Sequence, residues 1–216
     1  MDEKCLIFGF ILLLSGCVGT KTPQILSTLS HHNQVLIVNP IHKRSSYGFI
    51  SAWENAGSCW KKVYMARAVL GRNGLAPLNA KQEGDGKTPS GVYSLANAFG
   101  YAATIVTKLN YRKITDQDFW VDDVHSVQYN QWIHGKPQAK SFEHMYRNDK
   151  LYRLGVVIEY NTQPIVSGKG SAIFLHIWRT YYKPTSGCVA LSERNIRKIL
   201  TWLDKSKTPV IVLEGI

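Results

Sequence analysis

His176 and Cys188 are the two residues whose types and spacing best suit nucleophilic chemistry. His176 ends the apolar, strand-like run 171–176, and Cys188 follows twelve positions later, after the turn-forming pair Ser186-Gly187. A thiol nucleophile needs a base for its proton and donors for the oxyanion that forms when it attacks a carbonyl group. We therefore expect His176 to act as the base. Backbone N–H groups of the turn are expected to lower the thiol pKa and to form the oxyanion hole.

The alternative is that both residues are structural. A lone cysteine is more often a small buried apolar residue than a nucleophile, and a histidine in an apolar strand is commonly a core residue with satisfied hydrogen bonds. The position of Cys188 favours chemistry. A tight turn before it and a predicted helix after it are suited to present the sulfur and nearby N–H groups to a substrate.

Neither a nucleotide nor a metal ion is expected as a cofactor. The stretch Gly84–Thr88 is similar to part of a phosphate-binding loop, but the first glycine of that motif is missing and Pro89 prevents a helix from following at once. His125, His134 and His144 lack the tight spacing of a zinc peptidase. We interpret these histidines as surface or cleft-lining residues.

The elements that must position the cysteine and the histidine are mainly strands. Apolar and β-branched runs predict six strands: Val35–Val38, Tyr47–Trp53, Trp60–Leu70, Leu154–Tyr160, Ala172–His176 and Pro209–Leu213. Weaker patterns predict a strand at Thr104–Leu109 and turns at Leu95–Phe99 and Thr115–Phe119. Ser192 as N-cap and an apolar face predict one helix, Ser192–Leu203. The long stretch from Gly71 to Gly91 is expected to be a functional or mobile loop.

Length and composition indicate one folded domain, mainly β with a few helices (α+β). The 216 residues, of which 44% are hydrophobic, suffice for a core of ordinary size. We expect this domain to occupy residues 34–216. Residues 18–33 are polar and without periodicity, and are interpreted as a tether. The oligomeric state is not indicated by the sequence.

The chain carries a marked excess of positive charge. Its 26 basic and 15 acidic residues give a formal net charge of +11, which favours an anionic partner such as a nucleic acid, a membrane surface or an acidic wall polymer. The basic residues are scattered, and no helix-turn-helix, zinc-finger or RNA-binding motif accompanies them. Nucleic acid is therefore not expected as the partner.

The N-terminal segment has the features of an export signal. The apolar run Leu6–Leu14 is too short for a stable membrane span but suits the core of a signal peptide. The following Leu14-Ser-Gly-Cys17 resembles a bacterial lipobox, whose cysteine becomes the lipidated first residue of the mature protein. We expect residues 1–17 to be this signal and Cys17 to carry the lipid. Val18 in place of aspartate implies, by the same resemblance, a periplasmic protein anchored to the outer membrane.

Only Cys59 and Cys188 remain in the predicted folded domain. In an exported protein two cysteines are able to form a disulfide. A nucleophilic Cys188 must instead be a free thiol, and Cys59 is then interpreted as a buried small apolar residue. A disulfide between the two residues in the active protein would contradict the catalytic interpretation.

Several motifs together resemble the L,D-transpeptidases of the YkuD type. They occur in the family's order and are, in this chain, Ala66–Pro77, Glu83-Gly-Asp-Gly-Lys-Thr-Pro-Ser-Gly91, Gly168–His176, and His176 followed by Ser186-Gly-Cys188-Val. The resemblance covers roughly Val35 to Leu213 and implies a YkuD-like, sandwich- or barrel-like β domain.

The resemblance also implies roles for individual residues. Cys188 is the acyl-accepting thiolate, His176 its base, and the backbone carbonyl of Ile177 orients the imidazole. The N–H groups of Gly187 and Cys188 stabilise the oxyanion, and Ser186 belongs to the substrate-binding turn.

Two positions depart from the family pattern. Ala190 stands where the family usually has arginine, and Ile177 follows the histidine where glycine is common. Arg179 is interpreted as a replacement for that arginine in binding a substrate carboxylate, or alternatively as a surface residue.

The implied substrate is the peptide stem of peptidoglycan. In the family, the thiolate attacks the third residue of a tetrapeptide stem, D-alanine leaves, and an amine takes the acyl group to form a 3–3 cross-link or to exchange the terminal D-amino acid. One rival is an L,D-carboxypeptidase or another hydrolase that trims stems or releases wall-bound protein. A second rival is a non-enzymatic wall-binding lipoprotein. Trp120, Tyr129 and Trp132 are interpreted as lining a glycan- or peptide-binding groove, or as core.

Overall fold

The computed structural model describes residues 22–57 and 59–214. The predicted signal peptide and the lipobox cysteine Cys17 lie outside these ranges. Within them, no helix has both the length and the apolar character needed to cross a membrane.

Two β-sheets form the described domain. Their strands are β1 Gln34–Pro40, β2 Tyr47–Asn55, β3 Trp60–Val69, β4 Gly91–Ser94, β5 Asn97–Gly100, β6 Asn110–Lys113, β7 Asp118–Val121, β8 Trp132–His134, β9 Phe142–His144, β10 Leu154–Val157, β11 Phe174–Ile177, β12 Val189–Leu191 and β13 Val210–Leu213. The larger sheet is curled and has ten strands in the order β4-β13-β1-β2-β3-β12-β11-β10-β5-β6, and the smaller has the order β8-β7-β9. The predicted mainly β fold class is confirmed.

The six strands predicted from strong apolar runs are present, whereas the weaker patterns of the centre were misread. Residues 97–100 form β5 instead of a turn, because they pair with β10 on one side and β6 on the other. The strand expected at 104–109 begins only at Asn110, where pairing with β5 begins. The turn expected at 115–119 gives way to β7 at Asp118, the central strand of the small sheet. Tertiary pairing outweighs local propensity in these short segments.

The predicted helix is α1, Glu193–Trp202. Its N-cap Ser192 accepts a hydrogen bond from the Asn195 N–H, which satisfies one of the free donors of the first turn. Ile196, Ile199 and Leu200 are buried, and the helix packs against β10 and β11. It therefore supports, from the core side, the strand that carries His176.

Residues 22–33 are not the free tether that their polar composition suggested. Gln24–Thr28 form a 3-10 helix whose Leu26 is fully buried. Leu26 packs in a cluster with Val35 and Val210, which belong to neighbouring strands of the large sheet. Leu26 and Leu29 are buried, and the Asn33 N–H donates to the Lys207 carbonyl oxygen at 3.0 Å. Apolar burial and hydrogen bonds therefore both hold this segment against the domain.

Candidate active site

A cavity of about 550 Å³ lies at the junction of β11 and β12 and is lined by both His176 and Cys188. The two strands are parallel neighbours with His176 opposite Ala190. Because side chains alternate along a strand, Cys188, two residues before Ala190, is placed on the same face as His176. The pairing of two strands thus places base and nucleophile in one cavity.

The Cys188 thiol is held by two backbone groups. It donates to the carbonyl oxygen of Ala172 (Sγ–O 3.2 Å) and accepts from the N–H of Phe174 (N–Sγ 3.4 Å). The side chain is only 8% exposed, and burial raises the pKa of Cys188 to about 12, an effect that the Phe174 N–H opposes. The expected lowering of the thiol pKa is therefore wrong. The cause is that the loss of water around the sulfur outweighs the nearby donors.

His176 is oriented by the backbone carbonyl of Ile177, at 2.8 Å from Nδ1. This contact is the one that the resemblance implied. A carbonyl only accepts, so Nδ1 carries the proton and Nε2 keeps its lone pair. Burial lowers the pKa of His176 to about 4, which keeps the imidazole neutral at physiological pH. The ring also meets that of Tyr152 edge to face, at 5.2 Å between centroids.

The resting arrangement is a neutral thiol beside a neutral imidazole. No hydrogen bond joins their side chains within the described residues, and the thiol proton is directed to Ala172. The thiol must therefore rotate towards Nε2 before its proton can be transferred. In cysteine enzymes such contacts commonly tighten only once substrate is bound.

The Gly187 N–H, to which the family resemblance assigns a role in the oxyanion hole, already has a hydrogen-bond partner. Its N–H donates to Oγ1 of Thr185 (3.1 Å), and the same hydroxyl donates to the carbonyl of Cys188 (2.6 Å). The Gly187 N–H is therefore occupied in this arrangement, whereas this hydroxyl does not engage the Cys188 N–H. A side chain at Gly187 would place its Cβ 3.0 Å from the Lys87 carbonyl oxygen, so the turn requires a residue without one.

The two predicted substrate-binding residues both line the cavity. The Ser186 hydroxyl accepts a long hydrogen bond from Arg72 Nη1 (3.4 Å). Arg179 reaches the cavity wall, but its Nη2 is paired with Asp149 at 2.9 Å. Ala190 is fully buried in β12, and its small side chain lines the cavity without adding a charge.

Sequence reasoning missed a second layer of charged residues in the cavity. Arg147 forms two hydrogen bonds with Asp149 (2.9 and 2.7 Å) and lies over the Tyr152 ring. The Tyr152 hydroxyl donates to Glu143 at 2.5 Å, and burial raises the pKa of the Glu143 carboxyl. No local motif marks these residues. Their mixture of charge and aromatic character in the loops of the central region was the only available signal.

The loop 71–91 forms one wall of the cavity. Gly71 pairs with Thr185, and its N–H donates to the buried hydroxyl oxygen of Thr88 (2.9 Å). Lys81 and Glu83 contribute side chains to the wall; Lys81 is buried and paired with Asp85 at 2.7 Å. Contacts within the loop and with the turn before Cys188 therefore hold the loop in place.

Other predicted sites have simpler outcomes. Trp120 and Tyr129 belong to the core, whereas Trp132 is half-buried. The histidines at 125, 134 and 144 are exposed, and the described part of the chain has no group of three or more residues able to hold a metal ion.

Cys59 is half-buried and disulfide-bonded, so its interpretation as a buried apolar residue is wrong. Cys188 is free and is not its partner, so the disulfide that would have contradicted a catalytic Cys188 is not formed.

The solved structures to which this chain is similar include two proteins at low sequence identity. Bd1075 of Bdellovibrio bacteriovorus has a TM-score of 0.47 and the helical cell shape determining protein Pgp2 of Campylobacter jejuni one of 0.44, each at 16% identity over 85% of this chain. The chain spans about half the length of these proteins, 48% in each case. No curated protein matches the sequence.

A family model identifies the domain. The model of the YkuD L,D-transpeptidase catalytic domain matches residues 34–212, which is most of the chain and includes every cavity residue described above. The resemblance carried by the sequence motifs is thereby confirmed. The chain belongs to the YkuD family of L,D-transpeptidase catalytic domains.

Proposed function

We propose that this protein is a cysteine-dependent acyltransferase acting on the stem peptides of peptidoglycan. In this reaction Cys188 attacks the carbonyl between the L- and D-centres of a stem peptide and releases the terminal D-amino acid. The acyl group then passes from the sulfur to an amine, which gives a cross-link or an exchanged D-amino acid. Membership of the YkuD family supports the peptidoglycan substrate.

One observation carries the proposal: a free thiol and an imidazole held in a single tautomer line the same cavity. Cys188 and His176 both line it, and the Ile177 carbonyl fixes the His176 proton on Nδ1. Nε2 is therefore available to accept a proton. A structural cysteine and a structural histidine have no need of a shared cavity, or of a carbonyl that selects the basic tautomer.

The proton movements follow from this arrangement. The thiol proton passes to Nε2 of His176 while the sulfur forms a bond to the substrate carbonyl carbon. In the proposed mechanism the Cys188 N–H donates to the resulting oxyanion, as the family resemblance implies. When the C–N bond breaks, the imidazolium returns its proton to the leaving amine, and the thioester remains. An acceptor amine then attacks, loses a proton to His176, and the sulfur departs and regains that proton.

Charged side chains of the cavity are suited to a zwitterionic substrate. Arg72, Arg179 and Lys183 line it and are suited to a terminal carboxylate, whereas Glu143 is suited to an ammonium group. The position usually occupied by arginine in the family is Ala190 in this chain and adds no charge to the cavity. Binding of the carboxylate is therefore assigned to the walls, with Arg179 as one candidate.

Digestion of purified muropeptides followed by mass spectrometry tests the proposal. Wild-type protein is expected to convert tetrapeptide stems to dimers, or to exchanged stems when a D-amino acid is added. Cys188→Ala, which removes the nucleophile but keeps the fold, should lose at least about a thousandfold in rate. Tripeptide without dimer or exchange would instead identify an L,D-carboxypeptidase or related hydrolase. Equal effects of wild type and Cys188→Ala on the wall would identify a non-enzymatic protein.

We also propose that the protein is exported to the periplasm and held at the outer membrane by a lipid on Cys17. The apolar run Leu6–Leu14 and the lipobox-like Leu14–Cys17 support this location. A periplasmic protein would have direct access to the stem peptides of the wall.

A further inference from the structure

We propose that Asn130 is a positioning residue for the nucleophile, acting through the backbone of Ala172. The inference rests on the proposed function in that it takes Cys188 to be the nucleophile. Asn130 does not line the cavity and lies 42 positions before the residue that it holds.

The first observation is the conformation of Ala172. Its φ angle is +53°, in the left-handed region that residues with a Cβ rarely adopt. Ala172 is buried, and its carbonyl oxygen accepts the hydrogen bond from the Cys188 thiol at 3.2 Å. A strained backbone therefore supplies one of the two hydrogen bonds that hold the sulfur. Such strain persists only where surrounding groups enforce it.

The second observation is the group that enforces it. Asn130 is 3% exposed, and its Oδ1 accepts from the Ala172 N–H at 3.1 Å and from the Trp120 indole N–H at 2.9 Å. Its Nδ2 donates to the carbonyls of Tyr160 and Asn161 at 3.2 and 2.7 Å. Four hydrogen bonds fix this amide in one orientation, so the Ala172 N–H meets a rigid acceptor.

The neighbour of Asn130 holds the same segment at a second point. The Tyr129 hydroxyl accepts from the Gly170 N–H at 3.0 Å and donates to Glu83 at 2.6 Å. Consecutive residues of one turn thus bind the backbone at positions 170 and 172. The segment that leads into β11 is held in register with the thiol and is not free to relax.

The consequence for the thiol follows from these contacts. In Asn130→Ala the Ala172 N–H loses its acceptor, and residue 172 is free to leave the left-handed region. Its carbonyl then turns away from Cys188. An acceptor for the S–H proton favours the protonated form, so its loss favours the thiolate while the sulfur loses its fixed direction.

Two measurements on the full chain test the proposal. Asn130→Ala is expected to lower kcat/KM for stem peptides at least tenfold. It should also raise the rate of Cys188 alkylation by iodoacetamide at pH 8 about fivefold, the equivalent of one hydrogen bond to the thiol. Mass mapping of the modified peptide assigns the reaction to Cys188. An unchanged alkylation rate together with unchanged kcat/KM would overturn the proposal.

A rescue variant separates positioning from stability. Glycine adopts a positive φ without strain, so Asn130→Ala combined with Ala172→Gly should recover most of the lost kcat/KM and return the alkylation rate towards that of the wild type. Failure of Ala172→Gly to recover either quantity would contradict action through residue 172.

Gln34→Ala is the matched control. Gln34 is also a buried amide that joins two backbone groups, the Trp202 carbonyl and the Asp204 N–H, and it lies outside the cavity. Gln34→Ala should lower Tm about as much as Asn130→Ala does. It should leave the rate of Cys188 alkylation and kcat/KM unchanged. If Gln34→Ala altered both as strongly as Asn130→Ala, the effect would be one of stability alone. Should the wild type show no acyl transfer, the proposed function fails, while the alkylation series still decides the role of Asn130.

Discussion

His176 and Cys188 depend on burial for their protonation states. Burial lowers the pKa of the imidazole and raises that of the thiol, so both are neutral at rest. This resting pair of neutral groups differs from a thiolate–imidazolium ion pair that is formed before substrate binds. In the proposed mechanism the thiol proton is transferred only when the sulfur has turned from Ala172 towards Nε2 of His176. We therefore expect activation to coincide with the arrival of the substrate carbonyl.

Activity should persist well below the ordinary pKa of histidine. His176 is a base only when neutral, and its pKa is lowered from 6.5 to about 4. We expect the acid limb of the kcat/KM profile to have its midpoint well below pH 6.5, measured with a synthetic stem tetrapeptide. A midpoint at 6.5 or above would show that another arrangement of the imidazole operates.

The same shift predicts a loss of stability in acid. Between pH 6.5 and 4 the unfolded chain binds a proton at His176 that the folded chain does not, so stability falls as pH falls through that window. The shift corresponds to roughly 3 kcal/mol. Urea unfolding of His176→Gln should show a correspondingly smaller loss than wild type over this range. Parallel curves for the two proteins would contradict the lowered pKa.

At the level of elements, two parallel strands and one loop make the site. β11 carries His176, β12 begins just after Cys188, and α1 packs behind β10 and β11. The loop 71–91 closes one wall and pairs with the turn that precedes the nucleophile through Gly71 and Thr185. Its buried hydrogen bonds make it a fixed part of the cavity.

Thr88→Val should loosen this loop while preserving its shape. Valine replaces the hydroxyl that accepts from the buried Gly71 N–H, and leaves that donor unpaired. We expect a loss of roughly 1–3 kcal/mol in the free energy of unfolding, measured with urea. KM for stem peptides should rise, because Arg72 follows Gly71 in the wall. Thr88→Ser keeps the hydroxyl, and its KM should stay near that of the wild type. A larger KM effect from serine than from valine would contradict this account.

At the level of the whole molecule, the net charge of +11 suits an anionic wall. The positive charge is not restricted to one patch. Arg72, Arg147, Arg179 and Lys183 line the cavity, and Glu143 and Asp149 form ion pairs with Arg147 and Arg179. In the proposed function this charge would act both in attraction to the wall and in recognition of the substrate.

The proposed anchor makes a separate prediction for the intact protein. Cells expressing the wild type should hold it in the outer-membrane fraction with a diacylglycerol mass on Cys17, whereas Cys17→Ser should appear among soluble periplasmic proteins. Cys5→Ser is the matched control and should remain anchored. Cys59 is disulfide-bonded and its partner is not Cys188. A disulfide between Cys17 and Cys59 would exclude the lipid, because both bonds use the same sulfur atom. The intact mass under non-reducing conditions distinguishes the two outcomes, and a disulfide at Cys17 would overturn the proposed anchor.

The sequence by itself determined the family and the outline of the fold, and it indicated the candidate nucleophile and base. Cysteine and histidine beside apolar runs indicate a thiol and a base, and the strong strand and helix patterns are local properties of side-chain alternation and capping. The contact between His176 and the Ile177 carbonyl also joins adjacent residues. Motif order was enough to indicate the family.

Only the tertiary structure decided how the site is held and charged. Asn130 reaches Ala172 across 42 positions, and Glu83 reaches Ser171 across 88. The short central strands exist because neighbouring strands pair with them, and residues 22–33 dock because Leu26 packs against Val35 and Val210 of two neighbouring strands. The direction of the Cys188 pKa was misread for the same reason. Desolvation depends on what surrounds a group in space, and distant parts of the chain supply those surroundings.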